Sequence, residues 1–183
     1  MQALAMKALV PLAEGFEELE AVTIIDVLRR AGVEVTVAAL ATSPVTGSHA
    51  IRIAADTVLD GIDAIGFDAV VLPGGPGAKR LRDDARVLQI VQAAARSGKL
   101  VAALCAAPIA LEAAGVLAGK RATAYPGNAL PSAHFVEERV VVDGNIVTSR
   151  GPGTALEFSL ALVEQVVSVE KAAELRAAMI VAE

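Results

Sequence analysis

The run K-L-V-A-A-L-C-A-A-P-I-A-L, Lys99 to Leu111, holds the only cysteine of the chain, Cys105, at its centre. Leu100 to Leu104 is an apolar stretch of strand length, and Pro108 opens an Ala/Leu-rich segment at the position proline favours in a first helical turn. Cys105 therefore falls on a strand-to-helix turn, a nucleophile elbow. Backbone N–H groups and the positive end of the following helix are aimed at such a sulfur, which is expected to depress a thiol pKa from its usual value of about 8.5. A free cysteine is also among the residues most often buried as a small core group. This stretch alone leaves both readings open.

Outward from the elbow, strands and helices alternate. Lys7 to Ala13 reads as a buried strand, Phe16 to Ala31 as a helix stopped by Gly32, and Glu34 to Leu40 as a second strand. Ala41 to Gly66, punctuated by Pro44, Gly47 and Gly61, reads as a small hairpin or edge excursion. Ala69 to Leu72 is a strand ending in Pro73-Gly74-Gly75-Pro76-Gly77, and a helix follows from about Asp84 to Arg96. Beyond the elbow, a helix ends near Gly115, a short strand covers Ala122 to Ala124, and a polar loop holds His134. Arg139 to Asp143 and Ile146 to Thr148 flank Asp143-Gly144-Asn145, a hairpin turn signal. Helices from Thr154 to Val167 and Val169 to Met179 close the chain, the first with Thr154 and Glu157 at capping-box spacing. The alternation predicts one α/β sandwich with a mostly parallel sheet covered on both faces.

With 183 residues, 55% of them hydrophobic, the chain can bury one sizeable core. Residues 1–183 are read as a single domain, with residues 1–5 a short extension ahead of Met6. The 16 basic and 21 acidic residues leave a net charge of -5, which discourages binding to nucleic acid or anionic membranes. A lone cysteine forms no internal disulfide, and no paired Cys/His ligands suggest a metal. The N-terminus lacks a charged leader, and the longest apolar run is too short to span a bilayer, so a cytoplasmic protein is expected. Gly77-Ala78-Lys79-Arg80 fails the phosphate-loop pattern, and Gly75-Pro76-Gly77 lacks the third glycine of a dinucleotide site. No cofactor is implied.

In an open parallel sheet, ligands bind beyond the carboxyl ends of the strands, where the loops 13–16, 73–77 and 104–107 emerge together. Gly74-Gly75 is either a tight turn or a place where backbone N–H groups approach a reacting oxygen. Glu17, Glu18 and Glu20 all suit the first turn of a helix. Glu20 alone also lies on an apolar stripe, with Phe16, Ile24, Val27 and Ala31 at -4, +4, +7 and +11. A carboxyl there is partly buried and raised in pKa, fit to donate a hydrogen bond or shuttle a proton. His49 and His134 read as surface loop residues. Tyr125 and Arg150 fall where each can border the same edge.

Four strings, A-E-G-F-E-E-L-E (Ala13 to Glu20), L-P-G-G (Leu72 to Gly75), A-A-L-C-A-A-P (Ala102 to Pro108) and T-S-R-G-P-G-T (Thr148 to Thr154), resemble the ThiJ/PfpI superfamily. Within it, the likeness is greatest to the subgroup of YajL and the parkinsonism-associated deglycase, and it extends from Met6 to Ala182. The resemblance implies a flavodoxin-like three-layer sandwich and a homodimer formed through the first helix, whose apolar residues here run almost all the way round. It implies Cys105 as a reactive, oxidation-sensitive nucleophile, Glu20 as its acid partner, and Gly75 and Ala106 as backbone donors of an oxyanion hole. Gly74, Tyr125, His49 and Arg150 are the further candidate pocket residues. The implied activity is a cofactor-free glyoxalase or deglycase acting on methylglyoxal-type dicarbonyls or early glycation adducts, linked to oxidative-stress protection. Nucleic acid would enter only as a glycated substrate. A redox-responsive chaperone or sensor using oxidation of Cys105 is the alternative. Three departures narrow the field. Tyr125 stands where the parkinsonism-associated branch has histidine. Ala106 replaces the histidine that follows the cysteine in PfpI-type peptidases, and Ser149-Arg150-Gly151 replaces the histidine-glutamate pair of related amidotransferases.

Overall fold

The computed structural model describes residues 5–182. The extension read at residues 1–5 lies outside the described residues, apart from an exposed Ala5. In chain order the strands are β1 (Lys7–Leu12), β2 (Glu34–Ala39), β3 (Val45–Thr46), β4 (Arg52–Ile53), β5 (Thr57–Val58), β6 (Ala69–Leu72), β7 (Leu100–Leu104), β8 (Arg121–Ala122), β9 (His134–Phe135), β10 (Val140–Asp143) and β11 (Ile146–Ser149). The helices are α1 (Glu18–Arg30), α2 (Ala78–Asp83), α3 (Ala85–Arg96), α4 (Pro108–Ala113), α5 (Ala155–Val166) and α6 (Val169–Ala178).

Seven strands form one sheet in the order β10-β11-β7-β6-β1-β2-β5. Neighbours run parallel except in the β10–β11 hairpin. Every residue of β6 and β7 is buried, which is why these segments are continuously apolar instead of alternating. Phe16, Ile24, Leu28, Phe158 and Leu162 fill the layer on one face, supplied by α1, the turn just before it, and α5. Leu81, Val87, Val91 and Leu111 fill the other, beneath α2, α3 and α4. Each large side chain buried in this way contributes about 2 kcal/mol. Among the described residues, no helix is long and apolar enough to cross a membrane.

The stretch 41–66 realises both parts of its reading, since β3 and β4 form a hairpin and β5 adds an edge strand beside β2. Three other expectations are corrected. Residues 78–83 form a helix of their own, α2, which the reading from Asp84 onward omits. Its N-cap is Gly77, with no side chain to signal a start, while Asp84 accepts from Arg86 N to open α3. The strand expected at Ala122 to Ala124 is instead Arg121–Ala122, paired outside the main sheet with His134–Phe135. His134 thus begins a strand, too short for any periodicity to show. Thr154 and Glu157 form no capping box. The Thr154 hydroxyl donates to Gly151 O at 2.9 Å and shares a 2.6 Å bond with Ser149 Oγ, while Glu157 accepts from Arg139 Nε at 2.7 Å.

Candidate active site

Parallel pairing of β1, β6, β7 and β11 delivers their following loops to one edge of the sheet. Cys105 leaves β7 with φ +63°, a left-handed conformation that costs a non-glycine residue about 1–3 kcal/mol. The surroundings impose it. Cys105 N donates to Ser149 O at 3.0 Å, Tyr125 N donates to Cys105 O at 2.8 Å, and Ala107 N returns to Leu104 O at 3.0 Å. The elbow aims the side chain at the glycine turn after β6 and at α1, leaving Cys105 only 7% exposed.

The two glycines are spaces that the site requires. A Cβ on Gly74 would lie 2.7 Å from Cys105 Cβ, Glu20 Oε2 and Leu104 O, so the sulfur and the carboxyl meet only because position 74 has no side chain. Gly75 adopts φ +86°, and a Cβ there would lie 2.5 Å from Glu17 N. Gly74 O accepts from Glu17 N at 3.0 Å, tying this turn to the start of α1. The backbone N–H groups of Gly75 and Ala106 point at the Cys105 sulfur and favour its anionic form.

Glu20, expected to be partly buried, is completely so. Its Oε2 accepts from Gly74 N at 2.8 Å, its Oε1 has no hydrogen-bond partner of ordinary geometry, and the carboxyl faces the Cys105 thiol. Burial raises Glu20 to about 7, and the Glu17 carboxylate pushes the same way. Burial raises the Cys105 thiol to about 12, with the Glu20 carboxylate adding to it against the two backbone donors. The depressed thiol pKa expected from the helix end is therefore corrected. The helix that follows, α4, has only six residues and offers a small dipole. Both pKa values belong to the pair. Near neutral pH the pocket holds at most one negative charge, and passing it from carboxylate to sulfur requires only a proton transfer between the two groups.

Glu17 and Glu18 are more than first-turn acids. Glu17 is the N-cap of α1, its Oε2 accepting from Glu20 N at 2.8 Å. Glu18 is buried beneath the β3–β4 turn, where Oε1 accepts from His49 N at 2.6 Å and Oε2 meets Ser48 Oγ at 3.2 Å and His49 Nδ1 at 2.9 Å. Burial opposes its charge, yet these donors outweigh it and hold Glu18 at about 2. Glu18 in turn raises the His49 pKa. His49, a candidate pocket residue, makes its bonds to Glu18 and Ser48, and none of them reaches Cys105 or Glu20. Glu17, Glu18 and His49 bring potential metal-ligand atoms within 4.8 Å of one another, and the hydrogen bonds just given account for that cluster.

Tyr125 does border the elbow. Its backbone holds Cys105 O, and its half-exposed ring lies so close to Gly151 that a Cβ there would be 3.4 Å from Cδ2. Arg150 follows the residue that holds Cys105 N and lines a neighbouring cavity with Pro126 and Phe135.

The DJ-1/PfpI family model matches residues 6–165. The chain belongs to this family. It is 45% identical over 178 residues to Protein DJ-1 homolog B of Arabidopsis thaliana, covering 94% of this chain and 41% of that one. The chain thus spans less than half the length of the Arabidopsis relative. The crystal structure of Drosophila melanogaster DJ-1beta superposes with a TM-score of 0.94 at 41% identity, covering 98% of this chain and all of that one. Glutathione-independent glyoxalase DJR-1.2 of Caenorhabditis elegans is 34% identical over 161 residues, 86% of this chain and 87% of its own. The parallel sheet flanked by helices, read first from alternating runs, is the fold of the DJ-1 structures.

Proposed function

We propose that this protein is a cysteine-dependent glyoxalase/deglycase acting on methylglyoxal-type dicarbonyls or early glycation adducts. One observation carries the reading: a wholly buried carboxyl raised to about 7 faces the only thiol, itself addressed by two backbone N–H groups. Such a carboxyl gains and loses its proton near neutral pH, so it can serve as both acid and base. The likeness to a relative named a glutathione-independent glyoxalase supports the same chemistry.

The chemistry then runs as follows. The Cys105 sulfur bonds to the aldehyde carbon of methylglyoxal, and the thiol proton passes through Glu20 to the carbonyl oxygen, giving a hemithioacetal. Glu20 removes the proton from that carbon and delivers one to the adjacent carbon, while the proton of the first carbon's hydroxyl passes to the oxygen on the adjacent carbon. The first carbon is thereby oxidised to a thioester and the second reduced to an alcohol. Water cleaves the carbon–sulfur bond, releasing lactate and restoring the thiol. Oxidation and reduction occur within the substrate, so no external electron acceptor enters. Gly75 and Ala106 donate to the oxyanion at each addition. An early adduct joins the sequence when its amine or thiol leaves with a proton as the carbon–Sγ bond forms.

Leu19 and Val22 are 64% and 48% exposed on α1, and Ile51 beside the β3–β4 turn is 56% exposed. We assign this apolar surface to a homodimer contact. The peptidase reading loses its base, since Ala106 follows the cysteine and His49 is bonded to Glu18.

The deciding experiment follows lactate formation from methylglyoxal by wild type, Cys105→Ala and Glu20→Gln. Wild type turns over, Cys105→Ala does not, and Glu20→Gln is severely slowed. A wild type that converts no dicarbonyl, yet gains two oxygens on Cys105 under mild peroxide and suppresses client aggregation, would establish the redox sensor instead.

A further inference from the structure

The first turn of α1 has the spacing of a capping box, and the box stands open. Glu17 is the N-cap and Glu20 the third helical residue, and Glu17 Oε2 accepts from Glu20 N at 2.8 Å, which is half of the motif. In the other half, the carboxyl of the third residue would reach back to the N–H of the cap. That N–H is taken, because Glu17 N donates to Gly74 O at 3.0 Å. Glu20 Oε2 turns instead to Gly74 N at 2.8 Å, and the carboxyl faces the Cys105 thiol. The backbone of Gly74 is thus inserted into the box, and the hydrogen bonds close a ring from Glu17 to Gly74, to Glu20 and back to Glu17. Gly75 rests on the same residue, since a Cβ there would lie 2.5 Å from Glu17 N. A displacement of Glu17 therefore moves the acid and the glycine turn together.

Capping alone does not explain a glutamate here. Ser, Thr, Asp and Asn are the favoured N-cap residues, and a neutral hydroxyl would also accept from Glu20 N. Nor does the helix dipole need this acid, because Glu18, held ionised by its donors, already complements it. What Glu17 adds is charge, beside a buried carboxyl. Among the described residues, the groups that face Glu20 are Cys105 from the elbow, Gly74 N from the glycine turn and Glu17 from the start of its own helix, and none is a cation. His49 also feels Glu17, but its ring is bonded to Glu18. A like charge disfavours a second one, so Glu17 favours the protonated form of Glu20.

We infer that Glu17 is a positioning residue of this site: its carboxylate fixes Glu20 and the Gly74-Gly75 turn against Cys105 and, as a charged cap, keeps Glu20 able to donate a proton. Its hydrogen bonds go to Glu20, Gly74 and Ala21 and none to Cys105, so it acts through Glu20. Its place in the reaction rests on the glyoxalase/deglycase reading, whereas its hold on Glu20 does not.

Two measurements on the intact protein keep these apart. In the first, isotope-labelled glutamate carboxyls are titrated by NMR, with the Glu20 signal identified by its absence in Glu20→Gln. In wild type Glu20 titrates with a midpoint near 7. Glu17→Gln keeps an oxygen to cap the helix but lacks the charge, and lowers that midpoint by about 0.5 to 1 pH unit. Glu17→Ser, a favoured neutral cap, lowers it likewise, and Glu17→Asp, charged and able to cap, restores most of it. A midpoint that stays in place in the folded neutral variants, or that falls as far in Glu17→Asp, overturns the assignment. In the second, kcat/KM for methylglyoxal is followed against pH. The limb that reports Glu20 moves to lower pH in Glu17→Gln by the same amount as the NMR midpoint, and returns in Glu17→Asp. A loss of kcat/KM that is uniform across pH makes Glu17 a structural cap and also overturns the proposal. A midpoint that shifts as expected in a protein without dicarbonyl turnover overturns the enzymatic reading and leaves the hold of Glu17 on Glu20 standing.

Discussion

Glu18 and Glu20 stand two residues apart in the first turn of one helix, both buried, and their environments drive them in opposite directions. Glu18 is held at about 2, Glu20 at about 7. The difference lies in the donors that reach them. Glu18 gathers His49 N, His49 Nδ1, Ser48 Oγ and, at 3.4 Å, Ile51 N. Gly47 makes room for it, since a Cβ there would lie 2.3 Å from Glu18 Oε1. Glu20 receives one backbone N–H, from Gly74, and otherwise faces a thiol. Burial penalises charge at both positions and more heavily at Glu20, while Glu18 alone collects enough hydrogen bonds to its charged form to outweigh that penalty. One acid is thereby a structural anchor, and the other is the group to which the proposed mechanism gives proton transfer.

The contrast is tested most strongly by activity. Glu20→Gln is expected to cost about 10²- to 10⁴-fold in methylglyoxal turnover, the usual range for a positioned acid–base group. Glu18→Gln, measured by the same lactate assay, should cost far less, and equal losses would erase the distinction between anchor and carrier.

The next largest effect is on stability as a function of pH. Glu20 has a folded pKa above its ordinary 4.5, so its favourable contribution is complete below 4.5 and disappears as pH rises to about 7. Wild type should lose up to about 3 kcal/mol relative to Glu20→Gln across that window. Denaturant unfolding of both proteins from pH 4.5 to 8 measures it; parallel curves would show that Glu20 is ordinary. For Glu18 the sign reverses. Its contribution is present above 4.5 and is lost as pH falls toward about 2.

Glu18→Ala strands the donors of the β3–β4 turn and should lower stability by about 1–3 kcal/mol at neutral pH, read from the urea midpoint. The smallest expected change is for His49→Ala. The imidazole is 72% exposed, so solvent screens its pair with Glu18 and the pair should contribute little. That contribution should shrink with added salt and fade as pH rises past the raised pKa of His49. A loss as large as that of Glu18→Ala would move the anchor from the backbone donors to the imidazole.

The strands of the main sheet were legible because buried parallel strands are continuous apolar runs, and Ala69–Leu72 and Leu100–Leu104 have the bounds read from sequence. The burial of Glu20 was legible because helical spacing set it among Phe16, Ile24 and Val27. The role of Glu18 was not. Its neighbours along the helix suggest an ordinary dipole-facing acid, and its donors come from a turn some thirty residues away. Helix α2 was hidden by a glycine N-cap, and β8 and β9 by having two residues each. The opened capping box was equally invisible, since A-E-G-F-E-E-L-E does not say that Gly74 O takes the Glu17 N–H.

The sequence by itself determined the parallel sheet, the elbow at Cys105 and the burial of Glu20, because apolar runs, a proline at the first helical position and helical spacing all act through neighbours in the chain; only the family resemblance paired Glu20 with the thiol. Tertiary structure alone decided how those groups ionise. The cost of burying a charge depends on which donors arrive from remote loops. Glycines at 74 and 75, a turn at 47–51 and two chain segments, β11 and the bend at Tyr125, bonded to the backbone of Cys105 settle that in space.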